Sequence, residues 1–378
     1  MDTVFIIGIF LSFFLSVLLF TKRNKSLPDN VLALWLITIG IYLLNYYLYH
    51  LGYWERYPHL VGGLHPFPLL FGPFLYLYIT FSLRKDQRFH WKDTFHFLPF
   101  VLLYLCMMPF YFGYSAEEKI RVDQMDGDSE FRSIMMVSLV CFVISGVLYP
   151  VLSYLKIGRY QKMITQNFAY DEKISMEWLK FLILGLTVIV GVVALVYTLQ
   201  EGLGWQFGFN VDLIFFLLIV LFIFLLGYFG IRYQGIFSDK DSPGNDIVDS
   251  KPNGEYKKSG QKTPEARALQ EKLQELMVSS KPFLEPKLSL SDLAGELQTS
   301  PNNLSQVINQ YEEKNFYDFV NGYRVNEFIK RATLPENKNL NLLGIAFDSG
   351  FNSKSSFNEV FKKHTGQTPS RYLREIKG

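Results

Sequence analysis

The chain has 378 residues, 49% of them hydrophobic and 17% aromatic, with only 19% charged and a formal net charge of +2. A soluble domain carries about 25% charged residues, and a disordered, collagen-like or disulfide-stapled chain has a different signature again, so those three classes are excluded. The averages describe two unlike parts, and the charge acquires meaning once the parts are separated.

The first part is a series of long apolar runs. A helix needs ~20 mostly apolar residues to cross the ~30 Å hydrocarbon core of a bilayer. Seven candidates occur: Val4–Phe20, Val31–Tyr49, Phe67–Leu83, Phe95–Phe112, Ile134–Leu155, Leu179–Leu199 and Val211–Ile231. The first lacks the basic leader of a signal peptide and is followed by Lys22, Arg23 and Lys25, which predicts a retained span. The third carries Pro66, Pro68 and Pro73 near its start; proline is tolerated where neighbouring helices satisfy the freed carbonyl.

Orientation follows from Lys and Arg in the short loops. One set of loops holds twelve: Lys22, Arg23, Lys25, Arg84, Lys85, Arg88, Lys92, Lys156, Arg159, Lys162, Lys173 and Arg232. The other holds four, Arg56, Lys119, Arg121 and Arg132. The bias predicts an N-terminus outside and a C-terminus in the cytoplasm. Ionisable residues within the spans are scarce, which argues against a proton relay or a voltage sensor. Tyr46, Tyr47, Tyr49, Tyr53, Trp54, Trp178 and Trp205 near span ends fit an interfacial aromatic belt. The outer loop Ser115–Ser133 is acidic, but Asp123, Asp126 and Asp128 do not follow the EF-hand order and are expected to be a solvated surface. Cys106 and Cys141 lie in apolar stretches without metal-ligand spacing and are expected to be two buried small hydrophobes. No metal or cofactor is expected.

After Ile231 the composition changes. Residues 238–263 (SDKDSPGNDIVDSKPNGEYKKSGQKT) are polar and rich in Pro, Gly, Ser and Asp, as a flexible linker is. A linker of that length would average roughly 25–30 Å end to end. The expected division is therefore a membrane domain over 1–237, a linker over 238–263 and a soluble domain over 264–378.

In the soluble part, Thr263-Pro264-Glu265 starts a helix with Leu269, Leu273, Leu276 and Met277 on one stripe. Ser289-Leu290-Ser291-Asp292 has the spacing of a capping box, with Leu290, Leu293, Ala294 and Leu297 facing a core. Gln298-Thr299 make a turn, Ser300 caps and Pro301 starts a second helix that buries Leu304, Val307, Ile308 and Tyr311. Its other face carries Asn302, Asn303, Ser305, Gln306, Asn309 and Gln310. Two short helices joined this way fit a helix-turn-helix over about 289–311. Asn and Gln side chains pair bidentately with adenine in a major groove, and Ser bonds to base or phosphate. A longer helix over about Phe316–Leu334 follows, in which Arg324, Lys330 and Arg331 are candidates for phosphate contact and Arg324 is expected instead to pair within the domain.

The two-helix pattern then recurs over about 341–365. Leu293-Ala294 returns as Ile345-Ala346, and Leu304 as Phe357. Gly350 stands where a left-handed C-cap is wanted, and Phe351 plugs the turn. The second helix exposes Ser353, Lys354, Ser355, Asn358, Glu359, Lys362 and Lys363; Gly366 stops it, and Thr368-Pro369 starts a last helix.

The stretches LSLSDLAGELQTSPNNLSQVIN, RVNEFIKRA and LLGIAFDSGFNSKSSFNEVFKKHTGQTPSRYL resemble the AraC/XylS family of DNA-binding domains over Lys287–Lys377. The whole arrangement, with FPLLFGPFLYLY, DTFHFLPF and the exit GYFGIRYQGIF, resembles the bacterial membrane-bound branch of that family. The resemblance implies an all-α protein, a seven-helix membrane bundle followed by a cytoplasmic domain of two helix-turn-helix motifs. It implies recognition helices at Pro301–Gln310 and Ser353–Lys363 in successive major grooves of double-stranded DNA, ~34 Å apart. DNA-contacting residues would be Ser300, Asn302, Asn303, Ser305, Gln306, Asn309, Ser353, Lys354, Ser355, Asn358, Glu359, Lys362, Lys363 and Arg371. Where that family often has Gly before the long helix, Glu312-Glu313-Lys314 stands here; a residue other than Gly at positive φ would be strained, so this turn is expected to differ locally. From Lys251 on the net charge is +4, from nineteen basic and fifteen acidic residues, so weak non-specific affinity is expected.

The expected function is a membrane-anchored transcription regulator in the bacterial inner membrane. It would be a homodimer that couples an unknown small-molecule or envelope signal to DNA. The alternative is a transporter or channel with a regulatory tail, against which stands the absence of a repeated broken-helix pattern. No nucleotide-binding, kinase or hydrolase motif occurs, so an enzyme is not expected.

Overall fold

The computed structural model describes residues 2–23, 25–84, 88–123, 132–170, 174–202, 205, 207, 212–232, 264–337 and 340–377. Among them the secondary structure is helical, with a single isolated antiparallel bridge between Phe168 and Ser289. The chain forms two compact units. One comprises Met1–Gly158 and Ile174–Lys240; the other comprises Arg159–Lys173 and Asp241–Gly378. The expected linker, 238–263, lies outside the described residues, as do Asp126 and Asp128 of the acidic loop.

The first unit is built from α1 (Asp2–Thr21), α2 (Leu27–His50), the one-turn α3 (Tyr53–Arg56), α4 (Phe71–Leu83), α5 (Leu98–Gly113), α6 (Ala116–Asp123), α7 (Arg132–Asn167), α8 (Ile174–Tyr197) and α9 (Asp212–Arg232). α7 continues beyond this unit. Among the described residues, five helical stretches are long and apolar enough to cross a membrane: Asp2–Thr21, Leu27–His50, Trp91–Gly113, Met136–Asn167 and Trp178–Gln200. Two apolar helices, Phe67–Leu83 and Ile214–Phe229, are shorter. The prolines explain the entry to the third run. Phe67–Leu70 is a 3-10 turn, and the α-helix starts only at Phe71.

Side-chain size sets how the helices meet. Trp35, Leu36, Ile39 and Leu43 of α2 are buried with Leu75, Ile79 and Phe81 of α4 and Ile223 and Leu226 of α9. Gly146 of α7 leaves room for Val190 of α8; a Cβ there would stand 2.5–2.6 Å from both Val190 methyls, so only Gly permits this approach. The outward faces are apolar as well. Phe10 and Val17 of α1, Leu102 and Phe112 of α5, Val137 and Ile144 of α7, and Leu184 and Leu195 of α8 are all exposed.

Two expectations are corrected here. Cys106 is exposed, because α5 turns most of its apolar surface outward instead of into a core, and Cys141 on α7 is half-buried; both are free thiols. The fifth run does not end at Leu155 but continues as helix to Asn167. Lys156 therefore sits on a helix, where its Nζ donates to Thr80 Oγ1 (2.9 Å) and lies 4.9 Å from the Tyr76 ring centroid.

The second unit contains α10 (Pro264–Ser279), α11 (Leu290–Glu296), α12 (Pro301–Glu312), α13 (Phe316–Thr333), α14 (Leu342–Asp348), α15 (Lys354–Thr365) and α16 (Pro369–Lys377). It has two cores. Leu273, Met277, Leu293, Ala294, Leu304 and Ile308 gather around the N-terminal half of α13, at Phe316, Phe319 and Val320. Ile345, Ala346, Phe351, Phe357 and Phe361 gather around Tyr317, Val325 and Phe328 of the same helix. α13 is thus the shared spine of two similar halves.

Candidate nucleic-acid interface

Each half presents a short helix, a turn and an exposed second helix. In the first, Ser289 Oγ accepts from the Asp292 amide (3.2 Å) and the Ser289 amide donates to Asp292 Oδ2 (3.0 Å), the expected capping box at the start of α11. Gln298, in the turn, has φ 52°. Ser300 Oγ caps α12 by accepting from the Asn303 amide (3.2 Å). Leu304, Val307 and Ile308 are buried, which turns Asn302, Asn303, Gln306 and Asn309 outward, with Ser305 half-buried. Asn309 Nδ2 donates back to the Ser305 carbonyl (2.8 Å), so it must release that bond before it can reach a base.

The second half repeats the plan. Asn341 caps α14 through the Leu343 amide (3.0 Å), and Ser353 Oγ caps α15 through the Ser356 amide (3.1 Å). Gly350, in the turn, has φ 93°, at the same position in the repeat as Gln298. Burial of Ser356, Phe357, Val360 and Phe361 leaves Lys354, Ser355, Asn358, Glu359, Lys362 and Lys363 exposed, with Ser353 half-buried. Gly366 ends α15 with φ 77°, donating to the Lys362 carbonyl (2.9 Å).

The two exposed faces differ in charge. α12 carries no Lys or Arg, whereas α15 carries Lys354, Lys362 and Lys363. Two expected phosphate contacts are engaged within the unit. Lys363 Nζ donates to Asp318 Oδ1 (2.6 Å), and Arg371 Nε donates to Glu375 Oε1 (3.0 Å). Both cations are more than half exposed, so these pairs are weak and a phosphate can exchange for the carboxylate. Arg331 is drawn away from solvent by Glu327 (2.9 Å), which also accepts from Lys281 (3.1 Å). Burial alone would raise the Glu327 pKa; the bonds from Arg331 and Lys281 outweigh it and hold it below its ordinary value.

Arg324 is buried in the domain, as its place in the sequence led one to expect. Its guanidinium donates to the carbonyls of Phe283 (2.7 Å), Ala169 (2.7 Å) and Glu285 (2.7 Å) and to Asn321 Oδ1 (3.2 Å). Burial pushes its pKa down to about 10, which still leaves a cation at neutral pH. This node was not legible in the sequence, because three of its acceptors are backbone carbonyls that could belong to any residue. The turn before α13 keeps a left-handed residue even without Gly, where a local difference was expected: Glu313 caps α12 with φ 52°.

No group of His, Cys, Asp and Glu among the described residues could hold a metal ion. A family model described as a helix-turn-helix domain matches residues 293–375. No curated protein matches the chain. Among solved structures the chain is similar to a protein with unknown function from Listeria innocua, at 32% identity over 28% of this chain and 95% of that one, with a TM-score of 0.25. Residues 293–375 are an AraC-type helix-turn-helix domain, the DNA-binding regulatory domain of a transcription regulator.

Proposed function

We propose that this protein is a membrane-anchored, sequence-specific transcription regulator. Residues 1–237 would form a seven-span sensor, 238–263 a linker and 264–378 the cytoplasmic DNA-binding domain. The N-terminus would face outward across the bacterial inner membrane. The observation that carries this reading is the joining, in one chain, of an AraC-type domain to helices whose outward faces are apolar. A water-exposed surface of that kind is far larger than monomeric soluble proteins tolerate, whereas lipid would cover it. The charge bias of the loops supports the orientation. The two shorter helices would span where the bilayer thins locally and flanking side chains reach to the interface.

On DNA, α12 and α15 would enter successive major grooves, two tethered copies reinforcing each other at paired sites through effective concentration. α12 would read bases through Asn302, Asn303, Ser305, Gln306 and Asn309, with Ser300 at the phosphate. α15 would combine base contacts from Ser353, Ser355, Asn358 and Glu359 with phosphate contacts from Lys354, Lys362 and Lys363, and Arg371 would add one more. The signal would be a small molecule or envelope component sensed in or outside the bilayer.

Footprinting of the full chain in nanodiscs against fragments of the source genome tests this reading: discrete protected sites are expected, and none would refute it. Gln306→Ala should then cost ~1–3 kcal/mol at a protected site and relax base choice there. An equal loss on random DNA would deny Gln306 a base-reading role. For the topology, a reporter fused after Tyr233 should behave as cytoplasmic, and an extracytoplasmic signal would overturn the span count.

A further inference from the structure

The C-terminal unit includes a piece of chain remote from it in sequence, Arg159–Lys173. α7 enters this unit at its C-terminal end, and at Phe168 the helix gives way to extended chain. Phe168 pairs as an antiparallel bridge with Ser289, and the Ala169 amide donates to the Leu288 carbonyl (3.0 Å). The Ala169 carbonyl accepts from both Arg324 Nη1 (2.7 Å) and Asn321 Nδ2 (2.9 Å). Phe168, Ala169 and Tyr170 are buried, and Ala169 belongs to the core of the first half, with Leu293, Ala294, Leu304 and Ile308.

The segment therefore contributes backbone pairing and core packing to one half of the domain. Leu288 and Ser289 immediately precede α11, and Ser289 is its N-cap. The remaining carbonyls bound by Arg324, those of Phe283 and Glu285, lie in the same stretch. The core of the second half includes no residue of the segment. The segment is also the only connection from α7 to α8, so both of its ends are fixed to apolar helices. An α-helix transmits a displacement along its axis to whatever follows its last turn, and the Phe168 amide still donates to the Ile164 carbonyl (2.9 Å).

We propose that Phe168–Tyr170 is the input element of the regulator, a docked segment through which the α7–α8 connection sets the order of the first helix-turn-helix. With the segment seated, Arg324 and Asn321 are satisfied and the residue that caps α11, Ser289, is bridged to Phe168. With the segment withdrawn, two buried donors lose a shared acceptor and the first half loosens, while the second half keeps its own core. The idea gives the regulatory reading its route of control and rests on it for that meaning. Its test uses no DNA, so the two can fail separately.

The test is hydrogen exchange by mass spectrometry on the full chain in phosphatidylethanolamine/phosphatidylglycerol nanodiscs, with wild type, Ala169→Pro and Asn321→Ala. In the wild type, peptides over 164–170 should be protected; exchange at the unprotected rate would overturn the proposal without recourse to a variant. Ala169→Pro removes the amide that bonds Leu288. It should speed exchange over 290–311 at least tenfold and leave 342–365 within twofold. Asn321→Ala removes one of the two donors to the Ala169 carbonyl and should give the same regional pattern at smaller amplitude. Unchanged exchange over 290–311, or an equal rise over both regions in both variants, would overturn it.

Discussion

Gly350→Ala should cost the C-terminal unit at least ~3 kcal/mol. Gly350 has φ 93°, a conformation that costs an L-residue ~1–2 kcal/mol even in open space. The space is not open. An added Cβ would collide with the carbonyl oxygen of Phe283 and stand 3.0 Å from both Leu284 Cα and Arg324 Nε. Two of these neighbours are backbone, which cannot rotate away, and the third is locked by hydrogen bonds. Pulse proteolysis of the full chain in nanodiscs under increasing urea, reading survival of the 264–377 region, measures the loss. The matched control is Gln298, which holds φ 52° at the corresponding place in the first repeat. Gln298→Gly relieves left-handed strain and should be neutral or stabilising by up to ~1 kcal/mol. A Gly350→Ala variant within ~0.5 kcal/mol of wild type would mean that the turn does not hold this geometry.

The second large effect is expected at Arg324. Arg324→Ala leaves the carbonyls of Phe283 and Glu285 without that donor in a buried site, and the Ala169 carbonyl with Asn321 alone. At ~1–3 kcal/mol for each unmet buried group, partly recovered by water entering the vacated volume, a net loss of about 3–5 kcal/mol follows. Arg324→Lys should recover only part of it. A single ammonium cannot reach three divergent acceptors that the planar guanidinium meets at once. Combining Arg324→Ala with Asn321→Ala should be less than additive so far as the bond from Arg324 Nη1 to Asn321 Oδ1 dominates the coupling, since either single variant already removes it. Thermal unfolding of the same region followed by hydrogen exchange gives the numbers. A loss under ~1 kcal/mol for Arg324→Ala would show that the guanidinium is not what holds these carbonyls together.

Most of the C-terminal unit was legible in the sequence because its signals are local. The Ser289–Asp292 capping box, Pro301 after Ser300 and the glycines at 350 and 366 each act within a turn or two of chain, and all stand where the spacing predicted them. Repeated apolar positions gave the two cores for the same reason. The apolar helices were legible by length, but their ends were not. Nothing local distinguishes a helix that stops at Leu155 from one that runs to Asn167, and the outward turn of Cys106 depends on which neighbours α5 lacks. Least legible was the seat of Ala169. Its partners are the Leu288 carbonyl and the Arg324 and Asn321 side chains, about 120 to 155 positions away, and Phe-Ala-Tyr after a helix is an unremarkable loop composition. Among the proposed DNA-contacting residues, the pattern gave the exposed faces of α12 and α15. It could not give the internal pairing of Lys363 with Asp318, which arises only when α13 and α15 meet.

The chain passes between its two compact units three times, after Gly158, after Lys173 and after Lys240. A protease that cut between 241 and 263 would sever only the last of these passages. The freed fragment would leave Phe168 and Ala169 behind with the apolar helices, and with them an acceptor of Arg324 and part of the first core. Release by cleavage would thus yield a reading head with a missing tooth, and the shed fragment should compete poorly with the intact chain for the same DNA.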